Sequence, residues 1–243
     1  MYQGRKLSVV MPAYNEAEGI ADTVRGFKNH PWVDEVVVAD NNSRDETAIR
    51  ATQAGARVVK EPRQGYGYAC RTALANATGD LIVLTESDDS FYADDLKILF
   101  AYIDHFDMVK GARSNRHLVE DGADWTFPLT FGNWLVAKYM QLLYFGLKVL
   151  EDINQREVGG TYRVIRREAL EKIQPYFSEG QSAFLPDMTT LAIRKGLKII
   201  EVPVRYRRRL GESKITGNRV RATLLALRMS IIITRNRFKR LAA

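Results

Sequence analysis

Between Leu81 and Asp95 the chain reads LIVLTESDDSFYADD. Four β-prone apolar residues run into Glu86, Asp88 and Asp89, and Asp94 and Asp95 follow shortly. Carboxylates this close repel one another, and their ionised forms are costly unless something positive lies among them. A metal ion, a helix N-terminus or bulk water could each serve. Asp94 and Asp95 fall in the first turn of a helical pattern, where the helix dipole favours negative charge. Glu86 and Asp88 differ from them. They stand one residue apart at a strand end, so a continuing extended chain would point both to the same side. Two hard oxygen ligands so placed suit Mg²⁺ or Mn²⁺, which completes its shell with water and substrate phosphates. A solvated acidic loop is the alternative.

Two further strand ends carry polar groups, PAYNEAEG (12–19) and ADNNSRDET (39–47). Neither these nor TESDDS (85–90) is G-x-G-x-x-G or a P-loop, which argues against a dinucleotide-binding Rossmann site and a Walker-type NTPase. Ser43 and Asp45 have the composition of a turn and helix N-cap. Asp40, at the strand tip, is not explained by capping alone.

The elements that must position these groups can be read from periodicity. Apolar β-branched runs occupy 7–12, 35–40, 57–59, 81–85, 107–111, 161–165 and 198–204, and helical patterns occupy roughly 17–29, 45–54, 67–77 and 94–104. Strands alternating with helices predict an α/β fold with a mostly parallel sheet covered on both faces. In such sheets ligands sit beyond the carboxyl ends of the strands, where strand order reverses.

Composition limits the functional classes. The 243 residues are 46% hydrophobic and 27% charged, enough to bury one large α/β domain. The single Cys70 rules out an internal disulfide framework, and His30, His105 and His117 form no metal-ligand pattern. No run of about 18 uncharged apolar residues is present, so no transmembrane helix is expected. The N-terminus lacks an apolar stretch of signal-peptide length, so a cytoplasmic location is expected. The net charge of +7 is uneven: from Arg205 onward twelve Lys/Arg face one acid, Glu212, while the preceding residues are mildly acidic. A basic tail suggests an anionic partner, such as a membrane surface, a phosphorylated substrate or a nucleic acid. The strand-end acids argue against nucleic acid, since polyanions avoid them.

Together the motifs resemble family 2 glycosyltransferases of GT-A (Rossmann-like) fold, particularly the dolichyl- or polyprenyl-phosphate mannose and glucose synthases. The resemblance runs through nearly the whole chain, in VVMPAYNEAEGI, VVVADNNSRDET, RQGYGYACRTALANATGD, TESDDSF, VKGAR, VGGTYRVIRREAL and EVPVRYRRRLGESKIT. It implies an inverting, metal-dependent hexosyltransferase with a mixed, mostly parallel sheet and a C-terminal amphipathic helix. The implied organisation is a glycosyltransferase domain over 1–217 followed by a basic helix over 218–243. Within that domain a nucleotide-sugar half would span about 1–115 and an acceptor half about 116–217. Pro12, Tyr14, Glu16, Asp40, Asn41, Ser87 and Arg113 would contact the nucleotide-sugar, and Glu86 and Asp88 would hold Mg²⁺ or Mn²⁺ against its diphosphate. Arg208 and Lys214 match the family's basic pair and would grip phosphate, while Arg163 and Ser213 would contact the acceptor. Three departures stand out: Tyr66 replaces a common lysine, Glu86 replaces the first acid of D-x-D, and Asn41 and Asn42 replace an acid and a glycine.

Two segments, 127–150 and 218–243, combine apolar and aromatic residues with basic flanks, which suits a helix lying in the surface of an anionic bilayer. Core helices or a homodimer contact are the alternatives. With a polyprenyl-phosphate acceptor, the nucleophile is already ionised and no strong base is required. A hydroxyl acceptor would require one, and Asp187 in FLPDMTTLAIRKG is the candidate. A non-catalytic module binding anionic surfaces is a third possibility, supported by the basic tail alone.

Overall fold

A computed structural model describes residues 1–113, 115–123, 127–146, 156–210 and 219–241. Seven strands form one mixed sheet in the order β3-β2-β1-β4-β6-β5-β7. They are β1 (Leu7–Ala13), β2 (Glu35–Asp40), β3 (Arg57–Lys60), β4 (Leu81–Leu84), β5 (Met108–Ala112), β6 (Arg163–Arg166) and β7 (Ile199–Pro203). Each lies within two residues of its predicted run. Only β6 is antiparallel to its neighbours; it pairs with β4 on one side and β5 on the other. The predicted mixed, mostly parallel sheet is what the chain forms.

The physical cause is visible in β1 and β2. LSVVMPA is buried at every position, as a central strand covered on both faces requires. Alternate residues serve opposite cores: Val10 and Val37 pack with one cluster, Val9 and Val38 with the other. Helices α1 (Ile20–Lys28), α2 (Thr47–Gln53) and α4 (Leu96–Phe100) contribute Ile20, Ala51 and Leu96 to the second cluster. The first cluster is covered by α3 (Tyr66–Asn76), α5 (Phe127–Leu143), α6 (Arg167–Ile173), α7 (Phe184–Arg194) and α8 (Arg219–Phe238).

After β3 the chain returns past β1 to begin β4 on its other side. The strand order therefore reverses at β1 and β4, which is where a ligand crevice opens in a sheet of this type. Strand β6, from residues 116–217, is inserted between β4 and β5, both from residues 1–115.

The C-terminal helix is present, but its inner face is core. Met229, Ile232, Ile233 and Asn236 are buried, whereas Leu224, Leu227, Ile231 and Phe238 are exposed. Phe131, Leu135 and Leu142 of α5 and Phe145 in the turn after it extend this exposed apolar surface; Leu142 and Phe145 are 77% and 84% exposed. Among the described residues no helix is long and apolar enough to cross a membrane.

Candidate functional site

A cavity of about 400 Å³ opens at the ends of β1, β2 and β4. Pro12, Tyr14 and Glu16 line it from the loop after β1, Asn41 from the tip of β2, and Glu86, Ser87 and Asp88 from the segment after β4. The β1 loop is held by side chains of the next strand end. Ser43 Oγ accepts from Asn15 N at 3.0 Å, Thr47 Oγ1 from Glu16 N at 2.8 Å, and Asp45 from Ala17 N at 3.2 Å. Ser43 and Asp45 thus brace the neighbouring loop, a task their N-cap composition did not reveal.

Asn41 is committed to shape. Its amide donates to Glu61 O and Arg63 O, and its carbonyl accepts from Gly65 N at 2.7 Å, fixing the turn before α3. Gly65 has φ +153°, and a Cβ there would lie 2.3 Å from Gly180 O, so only glycine permits this close crossing of two loops. Asp40 accepts from Ser43 N at 3.3 Å and is not among the cavity-lining residues. Asn42 occupies left-handed backbone at φ +62°, as Asn tolerates more readily than most residues. It can therefore stand in the place of the family's glycine.

The carboxylate knot resolves into separate pairs. Asp95 holds Arg205 at 2.7 Å and Asp89 pairs with Arg207. Asp88 Oδ1 accepts from Ser90 N at 3.1 Å and Ser90 Oγ at 2.5 Å, and Oδ2 lies 3.3 Å from Arg209 Nη1. The other arm of Arg209, Nη2, donates to Glu16 at 3.0 Å. Glu86 Oε1 accepts from Tyr66 OH at 3.1 Å and also from Thr161 Oγ1. Burial, and after it the charge of Asp88, pushes the Glu86 carboxyl up to about 7. The hydroxyls of Tyr66 and Thr161 pull in the opposite sense without prevailing.

The arginines correct the expectation from the motif. Arg205, Arg207 and Arg209 alternate along an extended segment and all reach acids at the β4 end. Arg208, one residue out of phase, is exposed and does not line the cavity. In extended chain a shift of one residue reverses the side toward which a side chain points. Lys214 and Ser213 lie outside the described residues.

Two more assignments are corrected. Arg163, expected at the acceptor, is fully buried; it donates to Thr189 Oγ1 at 3.2 Å, to Leu185 O and to Gly160 O. It sits on a strand interior to the sheet and clamps α7 to the Gly160 loop. Asp187, expected as a base, is likewise fully buried and absent from the cavity lining. Its oxygens accept from Ser178 N and Glu179 N at 3.0 Å each and from Asn236 Nδ2 at 2.7 Å, tying α7 to α8. Asp187→Asn replaces an acceptor by a donor facing these groups, which should destabilise the fold by about 1–3 kcal/mol in a urea titration. Turnover per folded molecule should change by less than about tenfold, below the usual contribution of a general base.

Arg113 lines the cavity, with its charge matched by Glu157: Arg113 N and Nε donate to that carboxylate at 2.8 and 2.9 Å. Its guanidinium also lies 4.7 Å from the centre of the Tyr206 ring. Tyr66, Thr161 and Arg209 are cavity residues that sequence reasoning did not assign to the site. Only Tyr66 carried a signal, as a substitution inside a recognised motif. The lining also includes apolar Leu185 of α7 and Leu225 and Met229 of α8.

Among the described residues no group of three or more His, Cys, Asp or Glu side chains converges as a metal cage. Glu86 and Asp88 nevertheless offer two hard oxygen donors to one cavity, and their mutual repulsion would be relieved by a cation. This donor set fits a divalent ion that takes its remaining ligands from substrate and water.

A family model described as glycosyl transferase family 2 matches residues 8–174. An uncharacterized glycosyltransferase of Mycobacterium tuberculosis is 30% identical over 226 residues, spanning 92% of this chain and 95% of that protein. A dolichyl-phosphate hexose transferase of Haloferax volcanii is 31% identical over 212 residues, 86% of each chain. The fold is shared with glucosyl-3-phosphoglycerate synthase from M. tuberculosis, solved in complex with Mn²⁺, uridine diphosphate and phosphoglyceric acid. That structure has a TM-score of 0.72 and 20% identity, with 98% of this chain and 81% of that chain covered.

Proposed function

Because this chain belongs to glycosyl transferase family 2, we propose that it moves a hexose from a nucleotide-sugar to a polyprenyl phosphate at a membrane surface. The observation that carries this reading is the mixed lining of the cavity. Acids and Arg209 line it together with apolar Leu185, Leu225 and Met229. The helix bearing Leu225 and Met229 also exposes Leu224, Leu227 and Ile231. A diphosphate suits the charged groups and an isoprenoid chain the apolar ones. The dolichyl-phosphate hexose transferase relative supports the same acceptor class.

In this reading residues 1–115 chiefly hold the donor and 116–217 the acceptor. Pro12, Tyr14 and Glu16 face the nucleotide, and Glu86 and Asp88 hold Mg²⁺ or Mn²⁺. When bound, the metal offsets the charge developing on the departing nucleoside diphosphate. Arg209 supplies a second positive group on the same side. The acceptor oxygen attacks the anomeric carbon as its bond to the diphosphate breaks, inverting configuration. A phosphate oxygen is already substantially ionised, so the sealed position of Asp187 carries no penalty. A hydroxyl acceptor is the second reading, favoured by a glucosyl-3-phosphoglycerate synthase of Mycolicibacterium smegmatis that is 42% identical over 95 residues, 35% of this chain.

The test offers UDP- and GDP-hexoses with Mn²⁺ to a short polyprenyl phosphate and, separately, to phosphoglycerate, with products identified by mass spectrometry. Transfer to the lipid phosphate is expected. Transfer to the hydroxyl acceptor alone would replace the reading.

A pH dependence follows from Glu86. The proton competes with the metal for the ionised carboxylate, and its pKa is about 7. Mn²⁺ affinity should fall by up to about tenfold per unit as pH drops below 7, level off above it, and be accompanied by proton release in calorimetry. Affinity that stays flat from pH 8 to pH 5 would remove Glu86 from the metal site.

The apolar surface of α5 and α8 is assigned to the cytoplasmic membrane face. Arg228, Arg235 and Arg240 stand exposed among its apolar residues, complementing anionic headgroups. Leu227→Glu with Ile231→Glu should abolish sedimentation with anionic vesicles while sparing transfer to a short, soluble acceptor. If the wild type ignores vesicles and the double variant instead dissociates a dimer, the face is an interface between two copies.

A further inference from the structure

We propose that Arg209 couples metal and diphosphate binding, opposing a bare divalent cation on Asp88 and favouring one that arrives with a diphosphate. The inference rests on the donor-site reading above and follows from how the atoms of Asp88 are shared. Asp88 Oδ1 already accepts two hydrogen bonds from Ser90, so Oδ2 is the oxygen best able to take a cation. Arg209 Nη1 lies 3.3 Å from that oxygen. A guanidinium does not lose its charge at any working pH, so a cation and Arg209 compete for one oxygen and repel one another.

A diphosphate changes the sign of this contribution. Arg209 Nε is buried and has no hydrogen-bond partner among the described residues, while Nη2 is directed by Glu16 at 3.0 Å. Nε is enclosed in this arrangement, so a phosphate oxygen meets the guanidinium when it turns from Asp88 toward the cavity that Arg209 lines, where an Arg fork binds such oxygens through paired donors. Once Arg209 faces phosphate, its charge is offset and Asp88 Oδ2 is released to the metal. By linkage each ligand must then strengthen the other by the same factor. Arg208 carries the same charge but is exposed and has no place in this arrangement.

The experiment titrates Mn²⁺ into the full chain, following the electron paramagnetic resonance signal of free Mn²⁺, with and without UDP or GDP. Wild type, Arg209→Gln, Arg209→Lys and Arg208→Gln are compared, with folding checked by thermal melting. Arg209→Gln should bind bare Mn²⁺ about tenfold more tightly, since removal of a like charge at this range exceeds about 1.4 kcal/mol. The enhancement of Mn²⁺ affinity by the preferred nucleotide should fall from about tenfold or more to under about threefold. Arg209→Lys keeps the charge without the fork, so bare Mn²⁺ affinity should stay near wild type while coupling weakens. That comparison decides the matter even if Arg209→Gln folds poorly. Arg208→Gln should alter neither quantity.

Unchanged or weaker bare Mn²⁺ binding in Arg209→Gln, with coupling retained in Arg209→Lys, would overturn the proposal while leaving the donor site standing. An equal effect of Arg208→Gln would also overturn it, reducing the result to net charge. Failure of the wild type to bind Mn²⁺ under any of these conditions would overturn the metal reading and this inference with it.

Discussion

Asp88→Asn is expected to lower hexose transfer by about a thousandfold or more, because a metal holding a leaving diphosphate contributes several kcal/mol of transition-state stabilisation. The substitution is a local one. Asparagine keeps an oxygen that can accept from Ser90 N and Ser90 Oγ, the two bonds that shape the turn after β4. The lost feature is the charge on Oδ2, in the lining of the cavity and 3.3 Å from Arg209. A neutral amide cannot replace it as a hard ligand, and its NH₂ would face the Arg209 donor. The lost pairing with Arg209 lowers the melting temperature and relief of the Glu86–Asp88 repulsion raises it, so the fold should survive while Mn²⁺ binding and transfer collapse together. Turnover that survives both Asp88→Asn and EDTA would refute the metal-dependent mechanism.

The second large effect separates two adjacent arginines. Arg209→Ala should reduce transfer by about 100-fold or more, the usual loss when a donor aimed at developing negative charge is removed. Arg208→Ala should stay within about threefold of wild type, as expected for a surface charge distant from the reacting groups. Arg209 is held between Glu16 and Asp88, with its guanidinium inside the cavity; Arg208 is exposed to solvent. Steady-state kinetics with saturating acceptor give both values. If Arg208→Ala is the damaging change, the segment after β7 must be placed one residue out of phase when substrates bind, and the assignment of Arg209 fails.

These two predictions also show where motif reasoning stops. The R-x-x-G spacing pointed to Arg208, and nothing local in RYRRRL distinguishes one arginine from the next. The distinction is made by the parity of an extended chain lying beside four acids, Glu16, Asp88, Asp89 and Asp95, each more than a hundred residues distant in sequence. Arg163 and Asp187 fail as site residues for a related reason. Each stands in a segment that matches the family, yet their side chains face inward, where Thr189 and Asn236 meet them.

What the sequence by itself determined is considerable. Apolar β-branched runs marked all seven strands, most clearly β1, β2 and β4, which are buried on both faces and so apolar nearly throughout. The helices between the early strands and the acids at the strand ends pointed to the site before any coordinates, whereas the place where strand order reverses came from the structure. Pro12, Tyr14, Glu16, Glu86, Ser87, Asp88 and Arg113 do line one cavity. Only the tertiary structure decided which cation meets which carboxylate, and that Tyr66 and Thr161 share Glu86. It also decided that α8 is core on one face and exposed apolar surface on the other. Local patterns record burial and secondary structure, since these repeat every two or 3.6 residues. Pairing between distant side chains has no period, and it is settled only when the sheet brings the strand ends together.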